Sequence, residues 1–84
     1  MAKLFKKPEE LKVTMNVQGV PLTLARNGET QRITKVYQSW LTAEEEQGKE
    51  ITKNYFKVKT SKGLACDIYR DMPTGNWYLS KVYD

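Results

Sequence analysis

"ITKNYFKVKTSKGLACDIYRDMPTGNWYLSKVYD", residues 51–84, is the stretch that decides the fold of this 84-residue chain. It contains three runs rich in Val, Ile, Thr, Tyr, Phe and Trp, the residue types that favour β-strands. The segments "TSKGL" and "MPTGN" separate these runs, and Pro73 and Gly75 mark the second segment as a turn. Strands joined by such short turns pair with one another in antiparallel order. Residues 51–84 therefore predict three consecutive antiparallel strands.

The upstream half repeats the pattern. Gln18-Gly19 and Asn27-Gly28 divide it into "LKVTMNV", "VPLTLAR" and "TQRITKVYQSW", and Asn-Gly is the strongest short hairpin signal. The predicted strands lie near residues 10–17, 20–26, 30–40, 51–60, 63–70 and 76–83. Strands with one apolar face must curl or close to bury it. We predict an all-β fold: a six-stranded antiparallel meander forming a strongly curled sheet or a small, partly open barrel.

One segment departs from this pattern. In "WLTAEEEQGKE", Thr42 is followed three residues later by Glu45, the spacing of a helical capping box. The acidic first turn suits a helix dipole, and Gly48 is a natural stop. The segment predicts a short helical connector near residues 43–47.

The length predicts a single domain. Residues 1–9 are interpreted as a flexible basic leader that Pro8 ends, and residues 10–84 as one β domain. The chain shows neither the apolar run of a secretory signal nor a stretch of about 20 apolar residues that would span a membrane. Cys66 is the only cysteine, so no disulfide can form within the chain. We expect a cytoplasmic protein that makes no membrane contact.

The sequence argues against enzymatic chemistry. It has no histidine, which excludes catalysis by a nucleophile paired with histidine. Cys66 alternates with Leu64 and Ile68 and is interpreted as a core residue. Three carboxylates are contiguous on the predicted connector and most of the others lie at predicted turns or chain ends, so they are not expected to converge on one site. We expect no enzyme activity, no catalytic residue, no bound metal and no cofactor.

Charge is distributed unevenly around the net +4. Residues 51–63 carry four lysines and no acid, whereas residues 44–50 carry four glutamates and one lysine. On the fourth strand, period-2 alternation places Phe56 and Val58 inward and lysines and a tyrosine outward. On the third strand, the same alternation groups Ile33, Lys35 and Tyr37 on one side.

An outward face of lysines and tyrosines suits single-stranded nucleic acid, because amines contact phosphates and tyrosine rings stack on bases. The candidate residues for binding single-stranded DNA or RNA are Arg32, Lys35, Tyr37, Lys53, Tyr55, Lys57 and Lys59. Lysines at alternate positions are also how edge strands avoid aggregation. The alternative hypothesis is a protein-interaction or self-association module, with no nucleic-acid role, that uses an exposed strand edge or an aromatic patch.

The last 34 residues also carry a motif: R/K-x-Y-(F/Y)-x-V-x-T, then G-x-x-x-x-(I/L)-Y-R-D, then T-G-x-W-x-L-x-x-(V/I)-Y-D. The matching residues are Lys53, Tyr55, Phe56, Val58, Thr60, Gly63, Ile68, Tyr69, Arg70, Asp71, Thr74, Gly75, Trp77, Leu79, Val82, Tyr83 and Asp84. With this motif, residues 11–84 resemble a bacterial family of small all-β domains of unknown function, which occur alone or appended to Y-family DNA polymerase-like proteins.

The resemblance implies an accessory role in DNA-damage tolerance or repair, with a polymerase-related or other bacterial protein as partner. It supplies no catalytic residues.

Overall fold

Six antiparallel strands follow one another in the chain and in the sheet, and the last strand pairs with the first to close a barrel. The computed structural model describes the backbone of residues 3–83 and the side chains of residues 8–83. The strands are β1 (Lys3–Met15), β2 (Pro21–Arg26), β3 (Glu29–Glu46), β4 (Lys49–Thr60), β5 (Ala65–Asp71) and β6 (Trp77–Tyr83). The predicted all-β antiparallel meander is confirmed, and the barrel is closed rather than partly open.

The predicted helical connector near residues 43–47 is wrong. Residues 43–46 continue β3, and a two-residue turn at Gln47 and Gly48, with φ of 52° and 77°, leads into β4. The Thr42 hydroxyl bonds the side chain of Glu44 at 2.8 Å and does not act as a helix cap. A helix of about one turn has a high nucleation cost, whereas the hairpin gains a bond with each cross-strand pair.

The predicted leader, residues 1–9, overlaps the first strand, which the sequence predicts to start near residue 10. The strand β1 begins at Lys3 and pairs with β6 at residues 3–4 and again at residues 9–11. Pro8 falls between these two paired stretches, where the register shifts and its missing N–H breaks no ladder. This pairing covers an edge of β6 that would otherwise be open. Residues 1 and 2 lie outside the described residues.

Inward-facing apolar side chains of five strands form the core. Its buried members are Leu11, Leu24, Phe56, Val58, Cys66, Ile68, Trp77 and Leu79. The thiol of Cys66 is fully enclosed, and burial, together with the charge of the neighbouring Asp67, raises its pKa to about 12. The opposite face of the same strands is the outer surface of the barrel, and it carries the charged and tyrosine side chains.

Irregularities in the strands decide which side chains reach that outer surface. In β3 the register with β4 shifts between Ile33 and Lys35 and again around Tyr37. As a result Ile33 packs against the core while Lys35 points outward, so the two do not share a side as expected. In β6 the register with β5 shifts after Leu79, so that Val82 packs against the core.

Candidate nucleic-acid interface

The outer surface of β3–β6 carries two adjoining groups of side chains. The first, here called the aromatic ladder, consists of Trp40, Tyr55, Tyr69 and Tyr78, one from each of the four strands. The second, here called the basic face, consists of Lys35, Tyr37, Lys57, Lys59, Lys81 and Tyr83. The two groups share a surface but differ in how their polar groups are satisfied.

The aromatic ladder follows the cross-strand register directly. Trp40 lies opposite Tyr55, Tyr55 opposite Tyr69, and Tyr69 opposite Tyr78. Ring centroids are 5.3 Å, 4.9 Å and 5.3 Å apart along this row, and the first pair is parallel within 4°. Each such pair contributes about 0.5–1.5 kcal/mol beyond the area it buries. The ladder therefore ties the four strands together, and its rings largely cover one another's faces.

Lys53 lies beside the ladder with its charge already neutralised. Its side chain is only 8% exposed, and its Nζ donates to Glu46 Oε1 at 2.6 Å and to Glu44 Oε1 at 3.2 Å. The same ammonium lies 4.9 Å from the centre of the Tyr69 ring. Burial acts to lower the pKa of Lys53, but the hydrogen bonds to Glu46 and Glu44 outweigh it and hold the pKa above its usual range.

Tyr55 belongs to the same network. Its hydroxyl donates to Glu44 Oε2 at 3.2 Å, and burial together with the Glu44 charge raises the pKa of Tyr55 to about 12. The hydrogen bonds from Thr42 and Lys53 hold the pKa of Glu44 below its usual value, against the effect of its burial. Lys53 and Tyr55 are thus committed to partners within the hairpin of β3 and β4.

The basic face combines an opposed lysine pair, Lys35 and Lys59, with two lysines, Lys57 and Lys81, that lie directly opposite Asp67. Lys35 lies directly opposite Lys59 across the β3–β4 ladder, and both side chains are exposed. Like charges in directly opposed positions lower the stability of a sheet. None of the four lysines of this face lies within 4.0 Å of a carboxylate among the side chains of residues 8–83. The opposition of Lys35 and Lys59 costs folding free energy and leaves these two amines available to an external anion.

Tyr83 organises the other half of the basic face. The ammonium groups of Lys57 and Lys81 lie 4.6 Å and 4.8 Å from the centre of its ring. Its hydroxyl donates to Asp67 Oδ2 at 2.8 Å, while the buried Asp67 Oδ1 has no hydrogen-bond partner among the side chains of residues 8–83. Burial, followed by this hydrogen bond, raises the pKa of Tyr83 to about 12. The tyrosine is therefore neutral, and its ring lies between the ammonium groups of Lys57 and Lys81.

A shallow depression of about 340 Å³ opens in the basic face, lined by Tyr37, Gln38, Lys57, Ala65 and Tyr83. Tyr37 stands at its border with 49% of its surface exposed. An exposed ring, a side-chain amide and a lysine around one hollow could receive a planar base while the amine meets a phosphate.

A second cleft of about 370 Å³ lies over the ladder, lined by Pro8, Glu46, Lys53, Tyr69, Asp71 and Tyr78. Among its described lining residues the one ammonium, that of Lys53, is bound by carboxylates. The described side chains of this cleft therefore offer no uncompensated positive charge to a phosphate.

The structure brings together four of the seven candidate residues and separates three. Those that share the basic face are Lys35, Tyr37, Lys57 and Lys59. Lys53 and Tyr55 join the ladder network instead. Arg32 is exposed further back along β3, where it pairs with Thr23 of β2.

The sequence reasoning missed Lys81, Tyr83 and Gln38 as site residues. Simple alternation from Trp77 and Leu79 turns Lys81 and Tyr83 toward the core, but the extra residue in β6 reverses them. The only sequence signal of this bulge was the small polar residue Ser80, which has no cross-strand partner on β5.

Within residues 3–83 no helix is long and apolar enough to cross a bilayer, and no group of three or more His, Cys, Asp or Glu side chains could hold a metal ion. A scan against protein-family models and searches of curated proteins and of solved structures found no match to this chain.

Proposed function

We propose that this protein is a non-catalytic accessory module that binds single-stranded nucleic acid on its basic face. The observation that supports the proposal is the placement of Lys35 directly opposite Lys59, with no carboxylate within 4.0 Å of either amine among the side chains of residues 8–83. Lys57 and Lys81 adjoin this pair and lie directly opposite Asp67 on β5. A fold that tolerates this repulsion gains most when an anion occupies the surface.

The phosphate backbone supplies the electrostatic part of binding. If four phosphates are contacted, the logarithm of the affinity falls with the logarithm of salt with a slope of about −3, or roughly 50-fold between about 50 and 200 mM salt. Arg32 is exposed on the same strand, apart from the basic face, and would be contacted only by a longer nucleic-acid strand.

Stacking of bases on an exposed ring accounts for the expected preference for unpaired bases. Tyr37 exposes about half of its surface at the border of the depression, and the Gln38 amide lies beside it. Stacking of a base on an aromatic ring contributes about 1–3 kcal/mol and tolerates any base. A duplex hides its base faces, so Tyr37 gives the surface a preference for single strands.

The resemblance to domains appended to Y-family polymerase-like proteins supports a DNA strand, in damage tolerance, as the ligand. The same resemblance favours a polymerase-related protein as a partner. The choice of a DNA and an RNA probe of equal length tests the first of these two expectations.

Fluorescence anisotropy with labelled oligo-dT and oligo-U of equal length tests the proposal. The double variant Lys35→Glu plus Lys57→Glu should weaken binding about tenfold or more and reduce the salt slope by about half. Tyr37→Ala should weaken binding by about tenfold with the salt slope unchanged.

The matched control is Lys12→Glu plus Lys49→Glu, which changes the net charge equally at two exposed positions outside the basic face. It should lower affinity only slightly. Equal losses in the two double variants would mean that net charge, rather than this face, drives binding, and would refute the proposed site. Absence of salt-dependent binding by the unmodified protein would refute the function.

A further inference from the structure

The strand β3 has a long unpaired edge. On one side it pairs with β4 along nearly its whole length, from Ile33 to Glu46. On its other side β2 pairs with Glu29–Arg32 only, and no described residue pairs with residues 33–46. An open edge presents backbone N–H and C=O groups that another strand can bond. Alternate residues of an antiparallel strand direct these groups away from their existing neighbour.

We propose that this edge pairs with the same edge of a second copy, antiparallel and with Trp40 at the two-fold axis. An antiparallel pair of identical strands is an isologous interface, in which each contact occurs twice. The two bulges of β3 lie before Gln38, so residues 38–42 of both copies can form a regular ladder centred on Trp40.

The charges along the edge of β3 are complementary to those of a second, antiparallel copy of the same strand, which favours that copy as the partner. The N-terminal half of the edge carries Lys35, and the C-terminal half carries Glu44, Glu45 and Glu46. Antiparallel pairing about Trp40 brings the lysine of each copy to the acidic end of the other. A register centred on Thr42 would leave the acidic ends without a cation and is disfavoured for that reason.

The aromatic ladder points to the same centre. Trp40 is its terminal ring, stacked on Tyr55 on one side. No other aromatic ring among residues 8–83 stacks on its opposite side. Pairing about Trp40 sets the two indoles opposite each other, where cross-strand aromatic pairs stabilise a sheet. The ladders of the two barrels then form one continuous row.

Sedimentation velocity over a range of concentrations, without nucleic acid, tests the proposal independently of the proposed binding function. We expect a monomer–dimer equilibrium. Lys35→Glu should weaken dimerisation about tenfold, because two symmetric attractions become repulsions. Lys12→Glu is the matched control on β1 and should leave the equilibrium unchanged.

Cysteine crosslinking tests the register. A Trp40→Cys variant should form a disulfide-linked dimer on mild oxidation, since the two thiols meet at the axis. Leu41→Cys should not, although Leu41 is 67% exposed, because its counterpart in the pair is Ser39. A strict monomer at all concentrations would overturn the proposal, as would crosslinking through Thr42→Cys but not through Trp40→Cys.

Discussion

The ion-pair network of Lys53 with Glu44 and Glu46 can be perturbed in two ways, by removing the ammonium or by removing the two carboxylates. Lys53→Met removes an ammonium that is only 8% exposed and keeps most of the apolar stem on Tyr69. Glu44→Gln plus Glu46→Gln removes the negative charges and leaves the ammonium in place. The two changes should differ in cost, since the lysine is buried while the carboxylates are 39% and 50% exposed.

The magnitudes follow from that difference in exposure. Lys53→Met loses two ion pairs to half-exposed carboxylates, about 0.2–1 kcal/mol each, and a cation–π contact of about 0.5–2 kcal/mol. We expect a loss of about 1–3 kcal/mol. The double glutamine variant leaves a buried charge without a counter-ion, which costs about 3–5 kcal/mol when the pair is fully buried. Because neutral amide oxygens still accept its hydrogen bonds, we expect about 2–4 kcal/mol.

Urea unfolding of the two variants and of the triple variant measures these free energies. The triple variant should be more stable than the double glutamine variant, because it no longer buries an unpaired charge. The matched control, Glu45→Gln plus Glu50→Gln, removes the same charge from a directly opposed acidic pair and should be neutral or stabilising. A triple variant less stable than the double one would refute this account of Lys53. Lys53→Met should also leave nucleic-acid affinity unchanged, since this amine is already neutralised.

Three further predictions concern the turn, the thiol and alkaline pH. Gln47→Asn should stabilise the protein by a few tenths of a kcal/mol, roughly, and Gly48→Val should destabilise it by about 1–3 kcal/mol in urea unfolding, because both positions have positive φ. A stable Gly48→Val variant would contradict the turn assignment. Native Cys66 should react with a thiol reagent only as fast as the protein opens, so prompt labelling under native conditions would contradict its burial. The folded pKa values of Cys66, Tyr55 and Tyr83 are raised to about 12 from 9.0 and 10.0. Folding therefore favours their neutral forms, so this stability is fully present below about pH 9 and is lost as pH rises toward 12; a urea midpoint unchanged between about pH 8 and 11 would contradict it.

The strands were predictable because their signals are local. Alternation places Phe56 and Val58 inward without knowledge of any neighbour, and Asn27-Gly28 identifies its hairpin from two residues alone. The turn at Gln47-Gly48 has nearly the same geometry, with φ of 52° and 77° against 53° and 76°. It was missed because glutamine is an uncommon residue at positive φ and the three glutamates before it favour a helix.

The candidate site was predictable only in part. The lysines of β4 lie outward as their spacing indicates, but spacing says nothing about partners across the ladder. Lys53 and Lys57 occupy equivalent positions in the sequence pattern. The β3–β4 hairpin gives Lys53 ion pairs with two carboxylates. Lys57 lies directly opposite Asp67 but over the Tyr83 ring, and it makes no ion pair within 4.0 Å among the described side chains.

The sequence by itself determined the class of fold, the single cysteine-poor domain and the concentration of positive charge on the third and fourth strands, because composition and period-2 alternation are properties of neighbouring residues. Only the tertiary structure decided which charges are free and which are paired, because pairing depends on strand register. One extra residue in β6 brings Lys81 and Tyr83 to the outer surface, and the closure of β1 onto β6 leaves β3 as the long open edge.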